Sequence, residues 1–189
     1  MPTPRTPEPG SFVVRPASPR DARSFFEMWS GVVAEGRFVR PDATRRTVSF
    51  YRRAFRRSWS PERADLVAVD GRRVLGHLTV AREEGPVCRH VASLGLAVGA
   101  PWRGRGVGSA LMADAIRWAR EMGVEKLALS VYPDNTTARE MYRRFGFVEE
   151  GRLTGHSKKA IGYRDEILMG LWLVPQPNTA DEAEPPVGP

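Results

Sequence analysis

A chain of 189 residues with 41% hydrophobic and 27% charged side chains can bury one substantial core but not two comfortable ones, and it reads as a single globular domain. Its net charge of +7 comes mainly from arginine, with lysine only at Lys126, Lys158 and Lys159, and by itself this points to no nucleic-acid partner. One cysteine, Cys88, rules out an intrachain disulfide and a cysteine-based metal cluster, and His77, His90 and His156 lack ligand spacing, so no metal is expected.

The chain opens on a polar run holding Pro2, Pro4, Pro7 and Pro9, without the apolar stretch of a secretory signal. Its longest weakly polar run, Val91 to Trp102, falls far short of the roughly 20 residues that span a bilayer. A cytoplasmic protein with no membrane partner is expected. Residues 1–10 and the proline- and acid-rich stretch 175–189 are expected to be disordered tails, leaving a folded domain over 11–174.

Phe12 to Arg15 reads as a first strand. Ser18 can cap a helix with Pro19 at its first position, running through Phe25, Met28, Trp29 and Val32 at helical spacing. A second helix is predicted over about 43–58, with Val48, Tyr51 and Phe55 as its apolar stripe and Arg52, Arg53, Arg56 and Arg57 on the other side. Leu66 to Val69 and Val74 to Val80 read as strands joined at Asp70-Gly71, a tight-turn signal. His90 to Val98 is a longer strand, followed by a Gly-rich loop and a helix over about 107–122 that Gly123 stops. Leu127 to Val131 is the next strand. Asn135 can cap a helix reaching Phe145, and Phe147 to Glu149 and about 163–173 supply the last strands. The order β-α-α-β-β-β-α-β-α-β-β defines an α/β layered domain with a mixed sheet flanked by helices.

Chemistry concentrates in Arg103-Gly104-Arg105-Gly106-Val107-Gly108, which runs into Ser109 at the start of the predicted helix. Glycines let the backbone turn sharply and approach a ligand closely. The first helical turn leaves N–H groups without intrahelical partners, and with the helix dipole they favour an anion. A phosphate-bearing ligand suits such a loop. A P-loop would need Gly-Lys-Ser/Thr at the helix start, and none is present. A dinucleotide loop needs G-x-G-x-x-G, but the third glycine falls on Ser109 or Leu111 in the two registers, and both fail. Arg or Gln, two free residues, Gly, one free residue, then Gly or Ala does fit, at Arg103, Gly106 and Gly108. On the loop alone this match and a plain Gly-rich turn stand level.

About thirty residues on, Asn135, Ala138 and Tyr142 precede Gly146-Phe147, with Asn135 and Tyr142 seven residues, or two helical turns, apart on one face. The loop and this element, in this order, resemble the two cofactor elements of the GNAT superfamily of acyl-CoA-dependent N-acyltransferases. The resemblance covers at least residues 94–147. It implies that Leu94 to Val98 and Leu127 to Val131 run parallel and then splay, with pantetheine in the gap along Leu96, Ala97 and Val98. It implies acetyl-CoA as co-substrate, its pyrophosphate on residues 103–109, Ala138 leaving room for the pantetheine arm, and Tyr142 as general acid towards the CoA sulfur. A backbone N–H near Val98 would polarise the thioester carbonyl.

The base is not evident, because Ser93 and Gly95 stand where some relatives carry an acid. Glu35 is a candidate substrate contact or base, set against a plain exposed loop acid. Tyr163 and Glu166 are candidate substrate-side residues near the last strand, where a hairpin pairing that makes a homodimer is equally compatible. His77 and His90 read as ordinary sheet residues rather than bases, and His156 with Lys158 and Lys159 as part of the connection before the last strand. Cys88 reads as a small buried hydrophobe. The leading function is acetyl transfer to a primary amine of a small metabolite such as an amino acid or derivative. A protein N-terminus or lysine as acceptor is the alternative. A nucleic-acid module built on 40–57, where seven arginines meet Phe50, Tyr51, Phe55 and the following Trp59, and a silent acyl-CoA sensor stand behind it.

Overall fold

The computed structural model describes residues 12–38, 46–159 and 162–176. The tails expected at 1–10 and 175–189 lie outside them apart from residues 175 and 176, as does the predicted start of the second helix at 43–45. The elements follow the expected order: β1 (Val13–Pro16), α1 (Ala22–Ala34), α2 (Val48–Ala54), β2 (Arg63–Asp70), β3 (Arg73–Arg82), β4 (Val91–Val98), α3 (Val107–Glu121), β5 (Lys126–Val131), α4 (Thr136–Arg144), β6 (Val148–Lys159) and β7 (Gly162–Trp172). Among the described residues no helix is long and apolar enough to cross a membrane.

The seven strands form one sheet in the order β1-β2-β3-β4-β5-β7-β6. All neighbours are antiparallel except β4 and β5, which the crossover through α3 makes parallel. Strand alternation divides the side chains of the central strands between two faces. Ala64, Leu66, Leu78, Val80 and Ala92 meet Leu111, Met112, Ala115 and Trp118 of α3 in the main core. Val67, Val69 and Val74 meet Phe25 of α1, Tyr51 of α2 and Phe55 just beyond it on the opposite face. Phe25 anchors this second layer, with ring centroids 4.5 Å from Tyr51 and 5.3 Å from Phe55, both edge-on.

Local chemistry sets the helix ends. The Asp21 carboxylate accepts the Ser18 N–H at 2.7 Å, and Pro19–Asp21 forms a 3₁₀ turn before α1 rather than its first α-helical turn. Thr47 caps α2 through Oγ1, which accepts the Phe50 N–H at 3.2 Å, and Phe55–Arg57 continues as a 3₁₀ turn. Tyr51 and Phe55 turn inward as expected, whereas Phe50 is exposed beneath the Arg46 guanidinium.

The largest departure is β6. Residues 151–159, read as a connection, form the outer strand of a long hairpin with β7, in a ladder broken between Glu149 and Gly151 and between Leu153 and Ser157. An edge strand exposed along most of its length needs no alternation of apolar residues, so its sequence gave no strand signal. Cys88 also departs from expectation. It lies exposed on the 3₁₀ turn Pro86–Cys88, which protrudes between β3 and β4 and has no core to enter.

Gly76 fixes how closely α3 sits on the sheet. A Cβ there would stand 3.0 Å from Val107, 3.1 Å from the Ala97 carbonyl and 3.1 Å from Leu111. Because one of these is backbone, Gly76→Ala is expected to destabilise the domain by about 1–3 kcal/mol, measured as a lower urea midpoint with an unchanged slope.

Candidate active site

The central constraint is a parting of the sheet. β4 and β5 pair only at Val91↔Lys126, Ala92↔Leu127 and Ser93↔Ala128. Past Ser93 the two strands have no ladder between them, and Leu94 to Val98 turn backbone groups towards an opening rather than a neighbour. A cavity of about 940 Å³ occupies this opening and extends under α1 and α2.

One end of the cavity is the loop before α3. Gly104 and Gly106 have φ of +72° and +81°, a left-handed backbone that side chains rarely adopt, and a Cβ on either would meet nothing within 4 Å. These glycines therefore serve conformation and an open approach rather than packing. Gly106 caps α3, whose first intrahelical bond runs from Ala110 N–H to Gly106 C=O at 3.0 Å. The N–H groups of Val107, Gly108 and Ser109 precede that bond and have no carbonyl within the helix. Anion-binding donors thus meet the cavity where Gly104, Gly106, Gly108 and Ser109 line it.

The two loop arginines divide. Arg103 lines the cavity, but its guanidinium grips both Glu35 oxygens at 2.8 Å and donates to the Val98 carbonyl at 3.0 Å. This fork ties the end of α1 to the end of β4. Glu35 is thereby committed to Arg103 and borders a separate hollow of about 330 Å³, so it does not face the main cavity as a base would. Arg105 lies 5.3 Å above the Trp102 ring and is not on the cavity wall, and Val107 is buried in the core.

The opposite wall is α4. Asn135 Oδ1 accepts the Ala138 N–H at 3.4 Å, and Asn135, Ala138 and Tyr142 share the cavity face, as their spacing predicts. Tyr142 is 6% exposed, and burial pushes its phenol up to about 12, so it keeps its proton across the physiological range. Arg139 fastens this helix in place by donating to the Pro133 carbonyl at 2.9 Å and to Glu149 at 2.7 Å.

Under α1 and α2 the cavity has a polar floor that sequence reasoning did not single out. Asp65 on β2 accepts from Arg63 at 2.8 and 3.0 Å and lies 3.2 Å from His77 Nε2 on β3. Burial pushes the Asp65 carboxyl up, but the hydrogen bonds from His77 and Arg63 outweigh it and hold the group well below the usual carboxylate range. The one available signal was an acid directly before an apolar strand run, at Ala64-Asp65-Leu66, but the predicted strand began one residue too late. Across the gap, Tyr132 and the buried Glu166 also line the cavity. Tyr163 does not: it is 71% exposed on the outer hairpin, because its register partner Lys158 lies on the solvent edge. Of the expected residues, the structure therefore gathers Leu96, Ala97, Val98, Arg103, Gly104, Gly106, Gly108, Ser109, Asn135, Ala138, Tyr142 and Glu166 around one cavity. Among the described residues no group of three or more His, Cys, Asp and Glu side chains comes together as a metal site requires.

A sheet parted beside a helix-terminal anion loop is the architecture of the acyl-CoA N-acyltransferase class. The chain belongs to the acetyltransferase (GNAT) family, whose model matches residues 31–147. It is 38% identical over 108 residues to the L-amino acid N-acetyltransferase AaaT of Escherichia coli K12, a match covering 55% of this chain and 64% of that protein. It superposes on a GCN5-related N-acetyltransferase from Kribbella flavida with a TM-score of 0.75 and 28% identity, over 88% of this chain and all of the other. The fold also matches yncA of Salmonella typhimurium, solved with its cofactor acetyl-CoA, with a TM-score of 0.80 and 17% identity over 90% and 98% of the two chains.

Because Asp65 is more acidic in the folded state, its contribution to stability is complete above the unfolded carboxylate range and is lost as pH falls below it. Asp65→Asn is expected to cost about 1.5–3 kcal/mol at pH 7. The difference from wild type should shrink as pH falls below about 4. Denaturant titrations from pH 2 to 7 measure both.

Proposed function

We propose that the protein transfers the acetyl group of acetyl-CoA directly to the primary amine of a small metabolite, an amino acid or a derivative of one. The observation that carries this reading is a single cavity joining an anion-binding helix terminus, a strand edge without a partner and a buried tyrosine. The amino-acid acceptor is supported by the E. coli relative, of which the match spans 64%.

The residues present fit acetyl-CoA. The open, left-handed turns at Gly104 and Gly106 leave room for a pyrophosphate against the first N–H groups of α3. The backbone of Leu96 to Val98 can accept and donate to the amides of an extended arm, as it would to an added strand. Ala138, with a side chain of one carbon, keeps the opposite wall low. When bound, acetyl-CoA supplies an acyl group activated as a thioester.

The chain's own groups then have distinct tasks. Backbone N–H groups near Val98 stabilise negative charge on the carbonyl oxygen. Glu166, buried on β7, offers a carboxylate to the acceptor's ammonium group. Tyr142, on the cavity wall, would offer its hydroxyl to the leaving sulfur. A phenol held near 12 is a weak acid, so Tyr142 would act first as a hydrogen-bond donor to the sulfur rather than as a full proton donor. Transfer of its proton is favoured only as charge accumulates on a sulfur that the same dry wall makes more basic.

The direct test is a panel of L-amino acids, their amides and simple alkyl amines with acetyl-CoA, following release of free thiol. No release with any amine would overturn the reading. Preferred turnover of lysine-bearing peptides would move the acceptor to protein.

Gly106→Glu, which strains the left-handed turn and places a carboxylate where a phosphate belongs, is expected to weaken CoA binding at least about 100-fold in calorimetry while leaving far-UV circular dichroism unchanged. Tyr142→Phe retains the ring and is expected to lower kcat by about 10²–10⁴-fold with CoA affinity nearly unchanged. Wild-type kcat should stay flat on the alkaline side to about pH 10, because the phenol ionises only near 12.

A further inference from the structure

The transfer just proposed still lacks a group to take the acceptor's proton. An acceptor amine arrives as R–NH3⁺ and cannot attack until it loses a proton. We infer that His77, oriented by Asp65, is that proton acceptor, and that the lobe of the cavity under α1 and α2 is where the amine is deprotonated. This rests on the acetyl-transfer reading above.

Four observations carry it. His77 is buried, yet it lines the same cavity as Gly95, Leu96 and Tyr142. It is paired in register with Ala97, so it stands on the strand beside the stretch of β4 whose backbone faces the gap. Its ring is held edge-on by Phe25 at 4.7 Å and tilted against Phe55 at 5.9 Å, which fixes its orientation before any ligand enters. Its Nε2 lies 3.2 Å from Asp65 Oδ1. An ionised carboxylate only accepts hydrogen bonds, so the proton of the neutral ring sits on Nε2 and the lone pair on Nδ1. Among the described residues Nδ1 has no hydrogen-bond partner, and it remains available as a base.

The charged and titratable groups around it favour this role over the alternatives. On β2, Asp65 faces the ring, backed by Arg63. From α2, Tyr51 packs into the same layer with Arg46 nearby, and Phe25 is the face that α1 presents. Asp65 itself is a poor base, being held ionised by two donors. Asp134 is paired with Arg164, and Glu35 with Arg103. The Asp65 carboxylate fixes the ring's orientation and tautomer, as the carboxylate of a catalytic triad does.

The proton count closes. His77 Nδ1 takes one proton from R–NH3⁺, and R–NH2 attacks the thioester carbon. A C–N bond forms and the C–S bond breaks. The second amine proton is lost as the amide forms, balancing the proton delivered to sulfur through Tyr142. His77 returns its proton to solvent through the open cavity.

The test measures kcat/KM from pH 5 to 9 with acetyl-CoA and the L-amino acid turned over fastest in the amine panel, for wild type, His77→Gln and Glu166→Gln. The expected result is a wild-type kcat/KM that rises to a plateau within this range, whereas His77→Gln, lowered at least about 100-fold near neutrality, climbs across it with the fraction of neutral amine while calorimetric acetyl-CoA binding is retained. Glu166→Gln should keep the plateau. Undiminished kcat/KM in His77→Gln, or a plateau abolished by Glu166→Gln instead, overturns the proposal while leaving acetyl transfer intact. Should His77→Gln lose acetyl-CoA binding as well, the wild-type profile decides: kcat/KM that still climbs through pH 9 with the free amine overturns the proposal, and a plateau below it supports it. Absence of thiol release in wild type overturns the acetyl-transfer reading, and this inference with it.

Discussion

Everything that could bind or react in this protein depends on two parallel strands that stop pairing after three residue pairs. Had the ladder between β4 and β5 continued, the sheet would be closed and the cavity filled. The parting is held open by packing on both sides. α3 crosses behind the strands and brings Leu111, Met112 and Trp118 into the main core, while Gly76 allows that helix to lie close. α4 stands on the far side, fixed by Arg139 and Arg143 to Glu149. The opening is thus a feature of the frame, with its walls supplied by four different helices.

The frame also explains why the two halves of the cavity differ. The half formed by β4, the glycine loop and α4 is built largely from backbone and small side chains, suited to an extended ligand recognised by its shape and phosphate charge. The half under α1 and α2 is built from aromatic rings around a fixed Asp65–His77 pair, with Arg63 at its rim. Tyr142 and Glu166 line the same cavity. Arg103 belongs to neither half alone, since it joins the α1 terminus to the loop by gripping Glu35 and Val98 together.

The first half was legible in the sequence because its determinants are local. Gly104, Gly106 and Gly108 are required by a single turn, and Asn135, Ala138 and Tyr142 by a single helix face. The second half was not, because it is assembled from residues far apart in sequence. Asp65 and His77 are 12 residues apart on adjacent strands, and neither spacing nor composition marks them as a pair. His77 read as an ordinary strand residue, and only the fold shows that it shares a face with Asp65. Glu35 and Tyr163 drew attention as chemically capable side chains, but their directions are set by an ion pair and by hairpin register, neither of which composition encodes. The hairpin itself was underestimated, since β6 lies at an edge and its half-buried alternate positions over residues 152–159 are filled mostly by small or polar residues rather than apolar ones.

The parted strands have one consequence for solubility and folding. They create two strand edges inside the sheet, and a bare edge is an invitation to any extended chain that could zip onto it. Here that edge is recessed between α1, α3 and α4, so a narrow, flexible guest can reach it while the strand of another protein, with side chains on both faces, meets the helices first. A guest lying there touches both the β1–β4 and the β5–β7 portions of the sheet and supplies hydrogen bonds that the chain does not make for itself. Occupancy and conformational stability are then linked by mass action, each tenfold rise in ligand above its dissociation constant adding about 1.4 kcal/mol to the folded state. The protein would resist heat and proteolysis in proportion to the supply of the molecule it uses.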